Sequence, residues 1–315
     1  MRKPLLIQIV FALVIAIGFG WAALNVAGNL ERQGIASGFG FLSSTAGFGI
    51  ISSLIPWTET SSYGRALVVG LLNTLLVSSL GIVLATILGV ATGVARLSPN
   101  WLLAKVAGFF VELMRNLPLL LIIFFLYFGV LRLLPSPSES LSLGDVIFLN
   151  NRGLYVPWFF SVPELDGFDF TGGLAITPEF IALLAALVLY TAGFIAEIVR
   201  GGILAVPPGQ REAALALGLS RTQMLRMVIL PQALRAIVPP LTSQYLNLTK
   251  NSSLAAAIGY PDLVQVFAGT VLSQTGQAVE IIAITMGVYL IISLLIALAM
   301  NIWNERTRII ERGAA

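Results

Sequence analysis

The sequence of 315 residues contains no cysteine and no histidine. Without cysteine the chain forms no disulfide bond and offers no thiolate nucleophile. Without histidine it lacks the commonest general base and the commonest metal ligand. Only 10% of the residues are charged, whereas 57% are hydrophobic. A soluble domain with so little charge would aggregate, so the composition predicts a protein that resides in a lipid bilayer.

Motifs of several enzyme classes are also missing. None of the three lysines follows a glycine, which excludes a phosphate-binding loop of the Gly-x-x-x-x-Gly-Lys-Ser/Thr type. No Gly-x-Ser-x-Gly turn is present. An integral-membrane enzyme would have to rely on a pair such as Ser253 and Lys250. The sequence therefore argues against an enzyme, and it predicts no cofactor or metal in this chain.

Six apolar runs are long enough to cross a bilayer, at about 20 residues for each helix. They predict an all-α integral membrane protein with about six transmembrane helices. Arg2 and Lys3 before the first run also resemble a signal peptide, but this run is too long for a signal core and indicates an uncleaved anchor. The six runs are residues 5–27, 66–95, 106–134, 178–199, 233–258 and 279–303.

The positions of lysine and arginine predict the orientation of the chain. With the N-terminus inside the cell, twelve of these residues fall in inner segments and four in outer segments, and basic residues favour the inner side. Both termini are therefore predicted to be cytoplasmic. The inner set is Arg2, Lys3, Arg96, Lys105, Arg200, Arg211, Arg221, Arg226, Arg235, Arg306, Arg308 and Arg312, and the outer set is Arg32, Arg65, Arg132 and Arg152.

Two predicted outer segments are longer than simple connectors. Residues 28–65 are rich in glycine and serine, and residues 135–177 are acidic and carry several prolines and glycines. Loops of this length are usually either functional or loosely ordered. The sequence leaves two interpretations open: a flexible loop, or a cap or docking ledge for a periplasmic partner.

One polar segment lies between long apolar runs, where a short connector would suffice. The pair Pro207–Pro208 can open a helix, and Gly218 can close it. Ser220 and Gln223 then form a capping box that starts a second helix, which should stop before Pro231. The pattern predicts a rigid helix–turn–helix in the cytoplasm that a soluble partner grips.

Polar residues at membrane depth are costly, so each is a candidate for a functional site. Glu112 and Arg115 are three residues apart and can pair on one helix face. Pro118 follows them and predicts a kinked or broken helix. Glu197 and Arg200 repeat the three-residue spacing near the predicted cytoplasmic end of the fourth run. Each pair can also be a purely structural ion pair, and Arg200 can simply anchor the helix at the interface.

The segment Lys250-Asn251-Ser252-Ser253 interrupts the fifth apolar run. It predicts unwound backbone between two half-helices, which is how many transporters build a site at the bilayer midplane. The alternative is that Lys250 extends its side chain to the outer surface.

The predicted helix–turn–helix contains Glu212-Ala213-Ala214 with Gly218, and Ile229-Leu230-Pro231 follows it. This pattern resembles the EAA loop of the permeases of binding-protein-dependent ABC importers. Further motifs within residues 65–305 resemble the polar amino-acid branch, closest to the general L-amino-acid permeases. These motifs are Gly70-Leu71-Leu72-Asn73-Thr74-Leu75, Ala95-Arg96-Leu97-Ser98, residues 112–120, residues 196–203, Pro231-Gln232-Ala233 and residues 250–254.

The resemblance implies a type I importer permease, with a core of five helices preceded by an N-terminal helix. Residues 1–64 would form the N-terminal anchor and the first periplasmic loop. Residues 65–305 would form the permease domain, with a periplasmic loop at 135–177 and a cytoplasmic coupling loop at 205–231. Residues 306–315 would form a cytoplasmic tail.

The resemblance also implies the partners of the chain in the bacterial inner membrane. It would pair with a second permease, as a heterodimer, and sit on two ATPase subunits that bind ATP and magnesium. A periplasmic binding protein would deliver an amino acid, and no nucleic acid would be involved. The residues implied to contact the ATPase are Gly209, Gln210, Arg211, Glu212, Ala213, Ala214 and Gly218.

The predicted substrate path consists of Arg115, Asn116, Glu197, Lys250, Asn251, Ser252 and Ser253. A zwitterion suits these residues. Its carboxylate can bind Arg115, Lys250 or a half-helix N-terminus, and its ammonium group can bind Glu197 or carbonyl oxygens. The sequence leaves open which amino acids are moved, whether the two permeases are identical, and which of them holds the substrate. The alternative function is a secondary transporter or channel not driven by ATP, which would not explain the cytoplasmic helix–turn–helix.

Overall fold

The computed structural model describes residues 2–32 and 37–307, and the predicted tail lies outside this range beyond Thr307. The α-helices of the described part are α1 (Arg2–Arg32), α2 (Tyr63–Ala95), α3 (Trp101–Asn116), α4 (Leu119–Phe124), α5 (Pro178–Leu204), α6 (Pro208–Ala216), α7 (Arg221–Met224), α8 (Leu230–Asn251), α9 (Leu272–Thr275) and α10 (Ala278–Thr307). The strands are β1 (Leu141–Leu143), β2 (Ile147–Asn150), β3 (Gly153–Val156), β4 (Glu164–Asp166), β5 (Asp169–Thr171) and β6 (Leu174–Ile176). Short 3₁₀ segments form at Gly40–Ser43, Leu131–Leu133, Pro137–Glu139 and Ser252–Ile258, and π-helical segments form at Phe125–Val130, Leu225–Ile229 and Val264–Val271.

Four helices of the described part are long and apolar enough to cross a membrane, and a bent pair adds a fifth. The pair is α3 with the segment Leu119–Leu133, which meet at an angle of 106°. Pro118 explains the bend, because it lacks an N–H and holds Leu117 in an extended conformation. The predicted break is thus confirmed. The described residues therefore give four or five helices of full span length, and the apolar part of α1, Ile7–Ala22, is shorter.

A continuous helical rod runs through α7 and α8, over Arg221–Ile258. The predicted stop before Pro231 is therefore wrong. Leu225–Ile229 is a π-helical turn, so the hydrogen bonding changes register just where Pro231 lacks an N–H. The proline enters the first turn of α8 without breaking the helix.

Helix α5 lies at the centre of the molecule and packs against α2, α3 and α8. Its contact with α2 is close because Gly89 and Gly93, four residues apart, lie on the shared face. A Cβ atom on Gly89 would come within 2.6 Å of the Cβ of Ile195. One on Gly93 would come within 2.6 Å of the carbonyl oxygen of Ala196. Larger residues at either position would force the two helices apart.

The first half of α2 also holds the turn that follows the helical rod. Gly70 lies against the backbone of Leu263, and a Cβ atom there would be 2.9 Å from the Leu263 Cα. The Asn73 side chain donates a hydrogen bond to the carbonyl oxygen of Pro261 at 2.8 Å, and the Thr74 hydroxyl accepts one from the Leu263 N–H at 3.0 Å. The motif at residues 70–75 therefore has a structural role in fixing this turn.

Residues 135–177 form a small β-sheet subdomain, which we call the ledge, at the end of α5 opposite to α6. Strands β1, β2, β3 and β6 make an antiparallel sheet in that order, and β4 pairs with β5. The Phe170 ring packs 4.5 Å from that of Phe148 and 4.9 Å from that of Tyr155. The all-α prediction is wrong for this segment, and the interpretation as a flexible loop is excluded because the segment is folded.

Candidate coupling helix and transport cavity

The helix–turn–helix predicted between the fourth and fifth apolar runs is present as α6 and α7. The pair Pro207–Pro208 opens α6, and Gly218 ends it at a φ of +79°, a conformation that favours glycine. The capping box is complete. The Ser220 hydroxyl accepts a hydrogen bond from the Gln223 N–H, and the Gln223 side chain accepts one from the Ser220 N–H.

Helix α6 presents most of its surface to solvent. Of the residues predicted to contact an ATPase, Gly209, Gln210, Glu212, Ala213 and Gly218 are exposed, Arg211 is half-buried and Ala214 is buried. Leu215 and Leu217 are also exposed, the latter by 82%. Small alanines beside exposed leucines allow a partner to approach closely and to bury apolar surface. No other element of the described chain covers this face of α6.

A polar cavity of about 280 Å³ lies between α5 and α8. Its walls are Tyr190, Thr191 and Phe194 from α5 and Gln244, Asn247 and Asn251 from α8. The three carboxamides are spaced by three and four residues, so they share one helix face. Carboxamides both donate and accept hydrogen bonds, and the two hydroxyl groups do the same. The cavity can therefore bind a small polar ligand, with the aromatic rings as apolar walls.

Arg115 lies at the edge of this cavity. Its guanidinium carbon is 5.5 Å from the centre of the Phe194 ring, which is a cation–π contact. Glu112 and Arg115, both described and both exposed, form no ion pair with each other, so that prediction is wrong. Asn116 is also exposed, and its side chain donates a hydrogen bond to the carbonyl oxygen of Glu112 at 2.8 Å.

Glu197 is bound by two cations. Its carboxylate accepts hydrogen bonds from Nη1 of Arg96 and, at 2.5 Å, from Nη2 of Arg200. The two arginines balance the charge of Glu197 without a substrate ammonium group, because Arg96 directly follows α2 and supplies a second positive charge beside that of Arg200. The ion-pair cluster joins the ends of α2 and α5. It is not part of the cavity wall.

The segment from Lys250 to Ser253 remains helical, so the predicted unwinding is wrong. After Asn251 the α-helix tightens into a 3₁₀ helix. The Ser252 hydroxyl, which is buried, donates a hydrogen bond to the carbonyl oxygen of Thr249, and the Ser253 hydroxyl donates one to that of Lys250. These bonds satisfy carbonyl groups at the change of helix type. Lys250 is exposed, and Asn251 alone of this segment lines the cavity.

Five residues of the cavity wall were missed in the sequence. They are Tyr190, Thr191, Phe194, Gln244 and Asn247. A signal for two of them was present, because Gln244, Asn247 and Asn251 repeat at helical spacing within a run that was treated as apolar. Lys250 carries a charge at predicted membrane depth, so the sequence favours it over its neutral neighbours as a site residue.

Comparison with known proteins identifies the class of this chain. Residues 81–309 match the family described as "Binding-protein-dependent transport system inner membrane component". The chain belongs to this family. It is therefore a permease subunit of an ABC importer in the bacterial inner membrane, and separate subunits hydrolyse ATP. The alternative of a secondary transporter or channel gains no support from any of these matches.

Two curated relatives match over nearly the whole chain. The chain is 49% identical to the putative amino-acid ABC transporter permease protein YhdX of Escherichia coli K12, over 96% of this chain and 94% of that protein. It is 46% identical to the general L-amino acid transport system permease protein AapQ of Rhizobium johnstonii, over 96% of this chain and 92% of that protein.

Solved structures share the fold of the described helices. A crystal structure of an amino acid ABC transporter with histidines matches with a TM-score of 0.59 and 26% identity, over 78% of this chain and 95% of that chain. An inward-facing structure of the MetNI methionine ABC transporter matches with a TM-score of 0.54 and 20% identity, over 78% and 98% of the two chains. At 20% identity, the similarity to MetNI shows a shared fold and nothing about the substrate.

Proposed function

We propose that this permease imports amino acids as one half of a heterodimer with a second permease. Two ATPase subunits that bind ATP and magnesium sit below the pair, and a periplasmic binding protein delivers the substrate. The relatives named as amino-acid permeases support the substrate class. The observation that carries the coupling to an ATPase is α6, an exposed helix fixed at both ends between two membrane helices.

Helix α6 is the proposed contact with the ATPase. Glu212 and Arg211 would make polar contacts there, while Ala213 and the exposed Leu217 would pack in a groove. Because the π-helical turn Leu225–Ile229 packs against α6 and continues directly into α8, a displacement of α6 would move α8 as well. Helix α8 carries half of the cavity wall, so ATPase closure would change the cavity.

The proposed substrate path passes through the cavity between α5 and α8. Arg115 and Asn116 form one edge, and Asn251 with the carboxamides beside it binds the substrate by hydrogen bonds. Lys250, Ser252 and Ser253 shape the opposite end of the path through the 3₁₀ helix. Glu197, with its two arginines, closes the path on the cytoplasmic side as a gate. In this proposal the substrate carboxylate binds at Arg115, and its ammonium group binds carbonyl oxygens of the carboxamides.

The proposed orientation has both termini in the cytoplasm, as the charge bias favours. Residues 1–64 then form the anchor with the first periplasmic segment, residues 65–305 the permease domain, and residues 306–315 the tail. The ledge and α6 lie at opposite ends of α5, which at about 1.5 Å per residue is long enough to cross the bilayer. This geometry is consistent with a periplasmic ledge and a cytoplasmic α6.

The proposal is tested by reconstituting both permeases with their ATPase subunits in proteoliposomes that contain ATP. Uptake of radiolabelled amino acids across a panel should require both ATP and the binding protein. ATP hydrolysis should rise when the binding protein carries its amino acid. Uptake driven by a proton gradient without ATP would contradict the assignment. It would also be contradicted if ATP hydrolysis rose only with ligands that are not amino acids.

A further inference from the structure

One turn of the ledge, Trp158–Ser161, carries three consecutive aromatic residues. Trp158 is 53% exposed, Phe159 is 86% exposed and Phe160 is fully exposed. Phe159 has a φ of +50°, which is unusual for any residue other than glycine, asparagine or aspartate. Exposed aromatic rings and a backbone in a sparsely populated region both cost stability. Features of this kind cluster at binding surfaces, where the contact with a partner compensates for the cost.

This turn is held rigidly. The N–H groups of Trp158 and Ser161 each donate a hydrogen bond to the other residue's carbonyl oxygen, at 2.9 and 3.0 Å. The Ser161 hydroxyl accepts a further bond from the Gly173 N–H at 2.9 Å. Gly173 lies so close to Pro163 that a Cβ atom would be 2.7 Å from the proline ring. Because the turn is fixed before any partner arrives, little conformational entropy is lost on binding.

The surroundings of the turn are acidic. Strand β4 begins three residues after Ser161, and its Glu164 and Asp166 are both exposed. Arg152 is the one basic residue in the sequence of the ledge. It is already paired with Asp169 at 2.9 Å. The surface around the aromatic turn therefore carries uncompensated negative charge.

The negative charge around the aromatic turn distinguishes between two possible binding partners, a lipid surface and a protein. Membrane-surface segments that insert aromatic residues usually carry lysine and arginine, which bind anionic lipid headgroups. An acidic surface would be repelled by such lipids. A protein with an apolar pocket bordered by basic residues is complementary to both features. The observations therefore favour a protein partner over the bilayer.

We propose that the turn Trp158–Phe160 is the docking knob for the importer's periplasmic binding protein, which carries an apolar pocket with a basic rim. The proposal rests on the proposed function, because it takes the ledge to face the periplasm and the importer to use a binding protein. The aromatic rings supply the central contact, and Glu164 and Asp166 steer the partner electrostatically. The site of amino-acid transport itself lies elsewhere, between α5 and α8.

The first test titrates the importer's own binding protein against the reconstituted complex and measures ATP hydrolysis. In the double variant Phe159→Ser/Phe160→Ser, the binding-protein concentration for half-maximal stimulation should rise about tenfold or more. The maximal rate and the hydrolysis without binding protein should stay at wild-type values. Phe39→Ser, which removes another exposed aromatic residue of the predicted periplasmic side, is the matched control and should change nothing.

The second test probes the charges. Glu164→Lys/Asp166→Lys should also raise the half-maximal concentration. Raising the salt concentration should weaken docking of the wild type but strengthen docking of this variant, because salt screens the repulsion between the new lysines and the basic rim. Equal salt dependence in both proteins would contradict electrostatic steering.

The third test identifies what contacts the turn. The chain has no native cysteine, so Phe160→Cys can be labelled with a photoactivatable cross-linker. Cross-linking to the binding protein supports the proposal, whereas cross-linking only to lipid or to the partner permease overturns it.

If a binding protein does not stimulate ATP hydrolysis by the wild-type complex at all, the proposed function fails. If the wild type is stimulated and the Phe159→Ser/Phe160→Ser variant has the same half-maximal concentration, the docking proposal alone fails.

Discussion

The carboxylate of Glu197 on α5 is bound by the guanidinium group of Arg96, the residue directly after α2. The two residues are 101 positions apart in the chain. Arg200 binds the same carboxylate from the next turn of α5. The pairing ties the ends of two membrane helices together at the end of α5 from which α6 continues.

We expect Glu197→Gln and Arg96→Gln each to destabilise the purified permease by about 1–2 kcal/mol, because each leaves a partly buried charge with fewer partners. The double variant should lose less than the sum of the two single losses, since both remove the same interaction. Thermal unfolding of the four proteins in detergent measures this coupling. Strictly additive losses would show that the ion pair contributes nothing.

The turn after α6 gives a second prediction. Gly218→Pro should abolish ATP-driven uptake, because proline cannot adopt a φ of +79° and would misplace α6. Gly218→Ala should retain part of the activity, at a cost of about 1 kcal/mol in the folded turn. Membrane insertion and expression should be unchanged in both variants, since Gly218 lies between the spans and not within one. Normal uptake with Gly218→Pro would contradict the coupling role of α6.

Features set by neighbouring residues were predictable from the sequence. The start and end of α6, the capping box of Ser220 and the break at Pro118 all depend on residues within one helical turn. The stop before Pro231 was the exception. The π-helical turn Leu225–Ile229 shifts the hydrogen-bond register and accommodates the proline, and no pattern of residues in the sequence predicted that turn.

Features set by distant contacts were not predictable. The pairing of Arg96 with Glu197 depends on how α2 crosses α5, and therefore on the close approach at Gly89 and Gly93. The strands of the ledge were missed because each has only three or four residues, too few to show a clear alternation of polar and apolar side chains. Asn251, which the sequence predicts for the substrate path, lines the cavity between α5 and α8, but the sequence did not predict the other wall residues, such as Tyr190.

The orientation of the chain gives a third prediction. Cysteine introduced by Ser138→Cys in the ledge should react with an impermeant maleimide added to intact cells with a permeable outer membrane. Cysteine introduced by Thr222→Cys in α7 should react only after the inner membrane is opened. Both positions are exposed in the structure, so access depends on the side of the membrane. Labelling of the Thr222→Cys variant in sealed cells would reverse the topology.

The pH stability of the ledge gives a fourth prediction. Burial of the Asp169 carboxyl opposes its ionisation, but hydrogen bonds from Tyr155, Arg152 and the Phe170 N–H outweigh this effect and lower its pKa. Burial and the bond to Asp169 raise the pKa of Tyr155. A lowered carboxyl pKa adds stability above the unfolded pKa of about 3.9, and this is lost as the pH falls through the folded value.

The ledge should therefore resist limited proteolysis equally from about pH 5 to pH 9 and become susceptible only below about pH 4. The variant Asp169→Asn keeps the size of the side chain but lacks the charge. It should be cleaved faster than the wild type at neutral pH and show a smaller change on acidification. Equal acid sensitivity of the two proteins would contradict a role for this carboxylate.

The cavity between α5 and α8 gives the last prediction. Asn247→Ala and Asn251→Ala each remove a carboxamide from the wall, so a bound amino acid would lose one or two hydrogen bonds to each. In the reconstituted importer we expect the substrate concentration for half-maximal uptake to rise about 5- to 30-fold, with ATP hydrolysis in the absence of substrate unchanged. Thr242→Ala is the matched control, because its hydroxyl donates a hydrogen bond to the Val238 carbonyl oxygen within its own helix and does not line the cavity. Glu197→Gln should behave differently from the cavity variants, lowering the maximal rate for every amino acid alike, because it acts on the helix ends. If the asparagine variants transport the whole panel with wild-type concentration dependence while Glu197→Gln selectively weakens one class of substrate, the substrate site lies at the ion-pair cluster and not in this cavity.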